Sequence, residues 1–157
     1  MRKFILGILL SIALLGSVRT HAQYNREYFF WVGRSCMMNN NYQEAIRTLN
    51  TLLRFDDKAF EGYFLRGIAK YNLDDLLGAE RDFTLTLAKN PVYTNAYQFR
   101  ALTRSRLGNY DDAMKDFDEA IELRPDYPAP YYSRGVTNIL TGRYREAVDD
   151  FNMYMRF

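Results

Sequence analysis

Few side chains in this 157-residue sequence have the chemistry of a catalytic or metal-binding site. Its single cysteine is Cys36, and its single histidine is His21, in an N-terminal segment that we expect to be removed. The His/Cys clusters of zinc sites and the Ser–His or Cys–His pairs of nucleophilic enzymes therefore lack members. No glycine-rich phosphate loop is present either. We predict no catalytic, cofactor-binding or metal-binding residues, and a protein that is not an enzyme.

Carboxylates are the other candidates for chemistry, because paired acids can act as general acid and general base. The densest group is Asp111, Asp112, Asp116, Asp118 and Glu119, within one predicted helix. A run of acids at this spacing is usually a solvated helix face. A carboxylate-only enzyme is the alternative, although nothing in the sequence points to one.

Cys36 has no second thiol in the sequence, so an internal disulfide is excluded. It falls within a predicted helix, on a face that we expect to pack against other helices. Unpaired cysteines are among the residues most often buried, where they behave as small hydrophobic side chains. We expect that role for Cys36, and an intermolecular disulfide is the alternative.

The first 22 residues have the layout of a secretory signal peptide. A short basic start precedes an apolar run over 4–16, and a polar stretch leads to Ala22 and Gln23. We therefore assign 1–22 to a signal peptide and 23–157 to the exported domain, in the periplasm or cell envelope. An uncleaved anchor is the alternative and the only membrane contact we expect, although a bilayer span needs about 20 apolar residues.

The net charge gives no reason to expect a nucleic-acid partner. The sequence has 21 basic and 19 acidic residues, a formal charge of +2. Removing Arg2, Lys3 and Arg19 with the signal peptide leaves 18 basic residues against 19 acidic ones. A near-neutral chain of this kind lacks the excess of positive charge that attracts nucleic acid.

The chain repeats itself with a period of 34 residues. Similar segments begin at Tyr63, Tyr97 and Tyr131, and a more divergent copy begins at Phe29. The aligned columns are Gly33, Gly67, Ala101 and Gly135; Ala45, Ala79, Ala113 and Ala147; and Leu49, Phe83, Phe117 and Phe151. Small residues let helices approach closely, and the large residue one turn later lies on the same face. With turn residues between the small columns, the pattern predicts pairs of helices.

This pattern resembles the tetratricopeptide repeat family, with its glycine, alanine and aromatic columns in phase from Arg26 to Phe157. The resemblance implies an all-α fold, an α-solenoid of four helix–turn–helix repeats wound as a right-handed superhelix. The predicted repeats are 26–59, 60–93, 94–127 and 128–157. First helices are expected near 26–39, 60–73, 94–107 and 128–141, and second helices near 42–55, 76–89, 110–123 and 144–156.

A charged pattern also follows the period, but only in the last three copies. An arginine precedes the small residue of the first helix, and an aspartate precedes the phenylalanine of the second. The matched positions are Arg66 with Asp82, Arg100 with Asp116, and Arg134 with Asp150. Repeat one has Val32 and Thr48 instead. We predict one ion pair within each of these repeats, which sets the register of its two helices, and an anion-binding site is the alternative.

The resemblance implies that the first helices line a concave groove that binds a protein or peptide partner. The residues that we predict to contact it are Phe30, Met37, Phe64, Ile68, Tyr71, Gln98, Leu102, Arg106, Tyr132, Val136 and Ile139. Most of them are apolar, so we expect an extended or helical peptide with apolar anchors, not an acidic tail. The alternative is that several of them are core residues.

The last predicted helix carries apolar residues that no later repeat in this sequence covers, including Val148, Tyr154 and Phe157. Three explanations compete: the chain is a fragment of a longer protein, this helix self-associates, or it receives a partner. Together these features predict an exported protein–protein interaction scaffold. The alternative function is the non-catalytic repeat region of a larger cell-envelope enzyme or transport and assembly machine.

Overall fold

A computed structural model describes residues 25–157, and the predicted signal peptide, 1–22, lies outside this part of the chain. The described part contains eight α-helices joined by short turns. Their bounds are 25–38 for α1, Tyr42–Phe55 for α2, Phe60–Asn72 for α3, Leu76–Lys89 for α4, Thr94–Arg106 for α5, Tyr110–Leu123 for α6, Pro128–Leu140 for α7 and Tyr144–Tyr154 for α8. None of these eight helices combines the length and the apolar character needed to cross a bilayer.

The helices form an all-α solenoid of consecutive helical pairs. From α2 onward each helix packs against the next one along the chain, and the first helices α3, α5 and α7 also meet one another in turn. This order of contacts is expected when each pair stacks on the pair before it. The predicted helices are confirmed, with ends within two residues of those observed.

The glycine column brings the two helices of a repeat into contact. A Cβ atom added at Gly67 would lie 2.7 Å from Cε1 of Phe83, and one at Gly135 would lie 2.9 Å from Cε1 of Phe151. Non-bonded carbon atoms do not approach so closely in a packed interior. A glycine at this position is therefore what lets the large residue of the second helix lie against the first helix.

The turn inside each repeat reverses the chain through one residue in the left-handed conformation. The four residues are Asn40, Asp74, Gly108 and Gly142, with φ of 56°, 66°, 81° and 75°. In each turn the next amide donates to a carbonyl five residues earlier, as the Asp75 amide does to the Lys70 carbonyl at 2.9 Å. The side chains of Asn41 and Asp75 also accept from backbone amides of α2 and α4, which caps these helices.

The core is a series of apolar clusters along the solenoid. The cluster of repeat one is built around Leu49 and Leu52, and the next is built around Phe64 and Phe83. Cys36 packs against the first of these clusters and is half-buried. It thus contacts the core as the sequence predicts, but it keeps more exposure than a fully buried residue.

Candidate functional site

Three first helices from consecutive repeats, α3, α5 and α7, border a cleft of about 210 Å³. Five of the residues predicted to contact a partner line it together, namely Tyr71, Leu102, Arg106, Tyr132 and Val136. They come from three different repeats, and the stacking of the repeats brings them to one surface. The cleft is therefore the best candidate for a functional site on the predicted groove face.

The α7 wall of the cleft is its most exposed part. Tyr132 is 50% exposed, Val136 37% and Leu140 63%, because no helix after α8 packs on α7 in the described residues. The Tyr132 ring is held by contacts with the Phe151 and Tyr154 rings, at centroid distances of 5.9 and 5.3 Å. This wall therefore presents one positioned aromatic ring and two aliphatic side chains to solvent.

Arg106 gives the cleft a polar edge. Its Nη2 lies 2.6 Å from Oδ1 of Asp74, and its guanidinium lies 4.8 Å from the centre of the Tyr71 ring. Its Nη1 also donates to the Tyr71 carbonyl at 3.4 Å. These contacts connect α5 to the end of α3 and hold the Tyr71 ring in place. Because Asp74 already balances its charge, Arg106 offers little attraction to an acidic ligand.

Two of the residues predicted for the groove surface are core residues instead. Phe64 is 7% exposed, and its ring packs edge-on against Tyr93 and Phe99 at centroid distances of 5.0 and 5.6 Å. Gln98 is 6% exposed, and its Oε1 has no hydrogen-bond partner within residues 25–157. Both side chains are buried between neighbouring helices, which agrees with the alternative that several of the predicted groove residues are core residues.

The other predicted residues lie outside this cleft. Ile68 and Met37 are partly buried against the core clusters of repeats two and one. Phe30 lines a separate hollow near the start of α3. Ile139 is 46% exposed on α7, but it does not line the cleft. The structure thus gathers five of the eleven predicted residues and separates the rest.

The predicted ion pairs are present in repeats two, three and four. The Nη2–Oδ1 distances are 2.6 Å for Arg66–Asp82, 2.7 Å for Arg100–Asp116 and 2.6 Å for Arg134–Asp150. All three aspartates are buried, and each arginine also contacts the ring of the tyrosine three positions earlier. Each guanidinium is thus occupied by a carboxylate, which favours the register role over an anion site.

Two further polar columns follow the same period and were not predicted from the sequence. Lys70 and Arg104 add a second cation to Asp82 and Asp116, both at 2.8 Å, and Arg104 also lies 2.7 Å from Glu80 of the preceding repeat. The arginines of the three Arg–Asp pairs also donate hydrogen bonds to side chains of the preceding repeat's second helix. These acceptors are Asn50, Thr84 and Asp118. Comparing polar residues at 70, 104 and 138, and at 50, 84 and 118, reveals both columns.

These networks keep their arginines charged. Burial lowers the pKa of the Arg104 guanidinium, but its hydrogen bond to Glu80 and the charge of Asp116 raise it further, so the net pKa is above the ordinary value. Burial likewise lowers the pKa of Arg134, and Asp150 and Asp118 reverse the change. Both groups are therefore structural cations and do not exchange protons in the physiological range.

Comparisons with known proteins agree with this geometry. Residues 105–142 match a family model described as TPR repeat. Two crystal structures of MamA share 26% identity with the chain. The first match has a TM-score of 0.79 and covers 84% of this chain and 77% of the MamA chain. The second has a TM-score of 0.78 and covers 87% of this chain and 75% of the MamA chain. The MamA 41-end structure from Desulfovibrio magneticus RS-1 shares the fold at 17% identity, with a TM-score of 0.78 over 83% and 74%. A comparison with curated proteins gave no match. The predicted tetratricopeptide resemblance and the all-α solenoid are confirmed.

Proposed function

We propose that this chain, an α-solenoid of tetratricopeptide-type repeats, is an exported interaction scaffold that binds a protein or peptide segment in the cleft between α3, α5 and α7. The repeat match and the likeness to MamA support an interaction scaffold in general. The observation that carries the finer proposal is the exposed apolar wall of α7, formed by Tyr132, Val136 and Leu140. Apolar side chains exposed together in a concave surface are typical of a protein-binding site.

The chemistry of the cleft fits an apolar segment of a partner. Tyr132, Val136 and Leu140 can contact aliphatic or aromatic anchors, and aromatic residues in clefts contribute strongly to protein interfaces. An acidic segment would need an uncompensated cation, and Arg106 is already paired with Asp74. We therefore propose an amphipathic peptide as the ligand, with its apolar side chains facing α7.

Site-specific photo-cross-linking in cells tests this proposal. A photoreactive amino acid at Val136 is expected to capture one protein, whereas the same group at Leu77, which is 62% exposed on α4, is expected to capture none. Tyr132→Ala should then remove the Val136 product, and Leu77→Ala should leave it unchanged. Identical products from the two positions, or a product that survives Tyr132→Ala, would exclude the cleft as the binding site.

A non-catalytic role is the coarser part of the proposal. A tetratricopeptide-type solenoid with MamA-like architecture is typical of a scaffold. Within residues 25–157, no group of three or more His, Cys, Asp or Glu side chains is placed to hold a metal ion. The alternative function, a repeat region in a larger envelope machine, makes the same cleft a contact between subunits. This alternative is favoured if the protein captured at Val136 also co-purifies with the chain as a stable complex when no cross-link is formed.

Export is proposed from the N-terminal sequence alone. The basic start, the apolar run over 4–16 and the small residue Ala22 support cleavage before Gln23. The intact mass of the chain isolated from a cell-envelope fraction is expected to correspond to a start at Gln23. A mass that includes Met1, with the chain in the membrane pellet, would instead establish an uncleaved anchor.

The outer face of α8 supports self-association. Three equivalent residues in the first three repeats, Leu52, Thr86 and Ala120, are fully buried, whereas the fourth, Tyr154, is 43% exposed. The neighbouring column shows the same change, because Leu53 and Leu87 are 8% and 7% exposed and Met155 is 71% exposed. Inside the solenoid these columns are covered by neighbouring helices, so we propose that a second copy covers them in repeat four.

Sedimentation equilibrium measures this self-association. The wild-type chain is expected to dimerise, and the double variant Tyr154→Ser/Met155→Ser is expected to sediment as a monomer. Leu77→Ser removes an apolar side chain of comparable exposure on α4 and should leave the dimer intact. A wild-type monomer at the highest soluble concentration would contradict the proposal.

A further inference from the structure

One substitution between repeats three and four opens a hollow beside α7. In repeat three, Arg104 fills the space between two second helices, at 2.7 Å from Glu80 and 2.8 Å from Asp116. The equivalent residue 34 positions later is Asn138, whose shorter side chain reaches Asp150 alone, with Nδ2 donating to Oδ2 at 3.0 Å. A hollow of about 320 Å³ lies between α6, α7 and α8 around this position.

The hollow has one apolar wall and one acidic wall. The apolar wall is Met114 of α6, which is equivalent to Glu80 of α4. Its thioether side chain is half-buried. Glu146, Asp149 and Asp150 come from α8. Asp150 is buried, whereas Glu146 and Asp149 are exposed at the mouth.

The two arginines that line the hollow do not balance the acids at its mouth. Arg134 donates to Asp150 and to Asp118, and Arg143 lies 3.6 Å from Asp111. Neither Glu146 nor Asp149 forms an ion pair in the part of the chain that the structure covers. The hollow therefore has negative charge that its own cations leave uncompensated.

Repeat three does not have this imbalance. Its residues at the same two positions are Asp112 and Lys115, which pair at 2.9 Å. Arg104 supplies a further cation in the interior. Repeat four has Asn138 and Asp149 in place of these two cations, and Met114 in place of Glu80, so a cation from elsewhere would offset its exposed carboxylates.

Asn138 adds a second, independent indication of a missing group. It lines the hollow and is 1% exposed, and its Oδ1 has no hydrogen-bond partner among residues 25–157. A buried amide oxygen without a donor is unfavourable. A ligand that satisfies this oxygen donates a hydrogen bond, and the neighbouring carboxylates favour a donor with a positive charge.

We infer that the hollow between α6, α7 and α8 binds the side chain of an arginine from a partner protein. Its guanidinium enters the hollow beside Asn138, the residue that replaces Arg104, with Asp149 and Glu146 at the mouth as its acceptors and Asn138 at the inner end. Its aliphatic stem packs on Met114. A planar group with five donors satisfies several separated acceptors at once, which a lysine ammonium does less well. The site is separate from the cleft, because it lies on the side of α7 that carries Arg134 and Asn138.

A small arginine compound is the direct probe of this site. We expect Nα-acetyl-arginine amide to shift the NMR signal of the ¹³C-labelled Met114 methyl group saturably in the full chain. The neutral citrulline analogue has nearly the same shape and should bind at least about tenfold more weakly, because it lacks the charge. Met38, which is 78% exposed on α1, reports nonspecific effects and should not move.

Two variants separate a specific site from a coincidental contact. Asn138→Arg fills the hollow from within and should abolish the response of Met114. Glu146→Gln/Asp149→Asn changes two exposed side chains, so the fold is kept, and the affinity for the arginine compound should fall at least about fivefold. An equal response to citrulline, or unchanged affinity in the Glu146→Gln/Asp149→Asn variant, would overturn the inference. Tyr132→Ala removes a cleft residue that does not line the hollow and should leave arginine binding intact, so failure of either site is recognised separately.

Discussion

Repeat three, α5 with α6, and repeat four, α7 with α8, have equivalent positions in the solenoid but different surroundings. Repeat three lies between two other repeats, and its residues Gln98 and Ala120 are 6% and 0% exposed. The equivalent residues of repeat four, Tyr132 and Tyr154, are 50% and 43% exposed. A position in a repeat is thus core or surface according to its neighbours, even when the backbone around it is the same.

The polar networks of the two repeats also differ, because Arg104 is replaced by Asn138. Asp116 accepts from two cations, Arg100 and Arg104, whereas Asp150 accepts from Arg134 and from the neutral amide of Asn138. The network of repeat three is closed by Glu80 of the preceding repeat. That of repeat four leaves a hollow, so the cleft, the hollow and the outer face of α8 all involve repeat four.

Removing the shared carboxylate gives the largest expected effect. Asp116→Ala should lower the free energy of unfolding by about 3–5 kcal/mol, because two partly buried guanidinium groups lose their common partner and only Arg104 keeps another carboxylate, Glu80. Asp150→Ala should cost less, about 2 kcal/mol, since Arg134 keeps Asp118 and the other donor is neutral. Urea denaturation followed by circular dichroism measures both losses. Equal losses would show that the second cation adds nothing to the network.

Truncating one apolar column compares the covered and uncovered faces. Leu52→Ala should cost about 3 kcal/mol, since it leaves a cavity at a fully buried position. Tyr154→Ala should cost less than about 1 kcal/mol, because its ring is already 43% exposed. Thermal unfolding at low protein concentration measures both in the monomer. A Tyr154→Ala variant as unstable as Leu52→Ala would mean that the outer face of α8 is covered even then, which removes the basis of the comparison.

The helices were predictable from the sequence because their determinants are local and recur every 34 residues. Glycine, alanine and turn residues set each helical pair without reference to the next pair. The groove was less predictable, because Phe30, Phe64, Gln98 and Tyr132 occupy one column and their exposure depends on which repeat follows. The sequence pattern predicts the same exposure for all four residues, whereas packing buries Phe64 and Gln98.

The columns that carry the further network residues are visible in the sequence, but the contacts that these residues make needed the three-dimensional structure. Arg104 lies in a column that has Cys36, Lys70 and Asn138 in the other repeats, and its partner Glu80 is 24 positions away in another repeat. The hollow is harder still to predict, because it arises where Asn138 fails to fill the space that Arg104 fills. A single sequence does not show that a side chain is too short to fill a space, until the contacts of the longer side chain in the equivalent repeat are known.

Adding a methyl group to the glycine column tests how easily each repeat adjusts. Gly67→Ala should cost about 2–3 kcal/mol, because its Cβ would lie 2.7 Å from the fully buried Phe83 ring. Gly135→Ala should cost about 1 kcal/mol, since Phe151 is only partly buried and can move toward the open side of α8. Urea denaturation gives both values. A larger loss at Gly135 would show that repeat four is packed as rigidly as the interior.

The smallest expected difference in stability between the two repeats lies in their turns, where equivalent substitutions should cost the same. Gly108 and Gly142 have φ of 81° and 75°, and a Cβ atom added at either would meet nothing within 4 Å. Gly108→Ala and Gly142→Ala should therefore each cost about 1–2 kcal/mol, all of it from the backbone conformation. Thermal unfolding of the two variants side by side measures the difference. Neither turn is covered by a neighbouring repeat, so side-chain packing should not distinguish them. A larger loss of stability at Gly108 would mean that an interior repeat transmits backbone strain to its neighbours. The contrast between repeats three and four would then extend beyond side-chain burial.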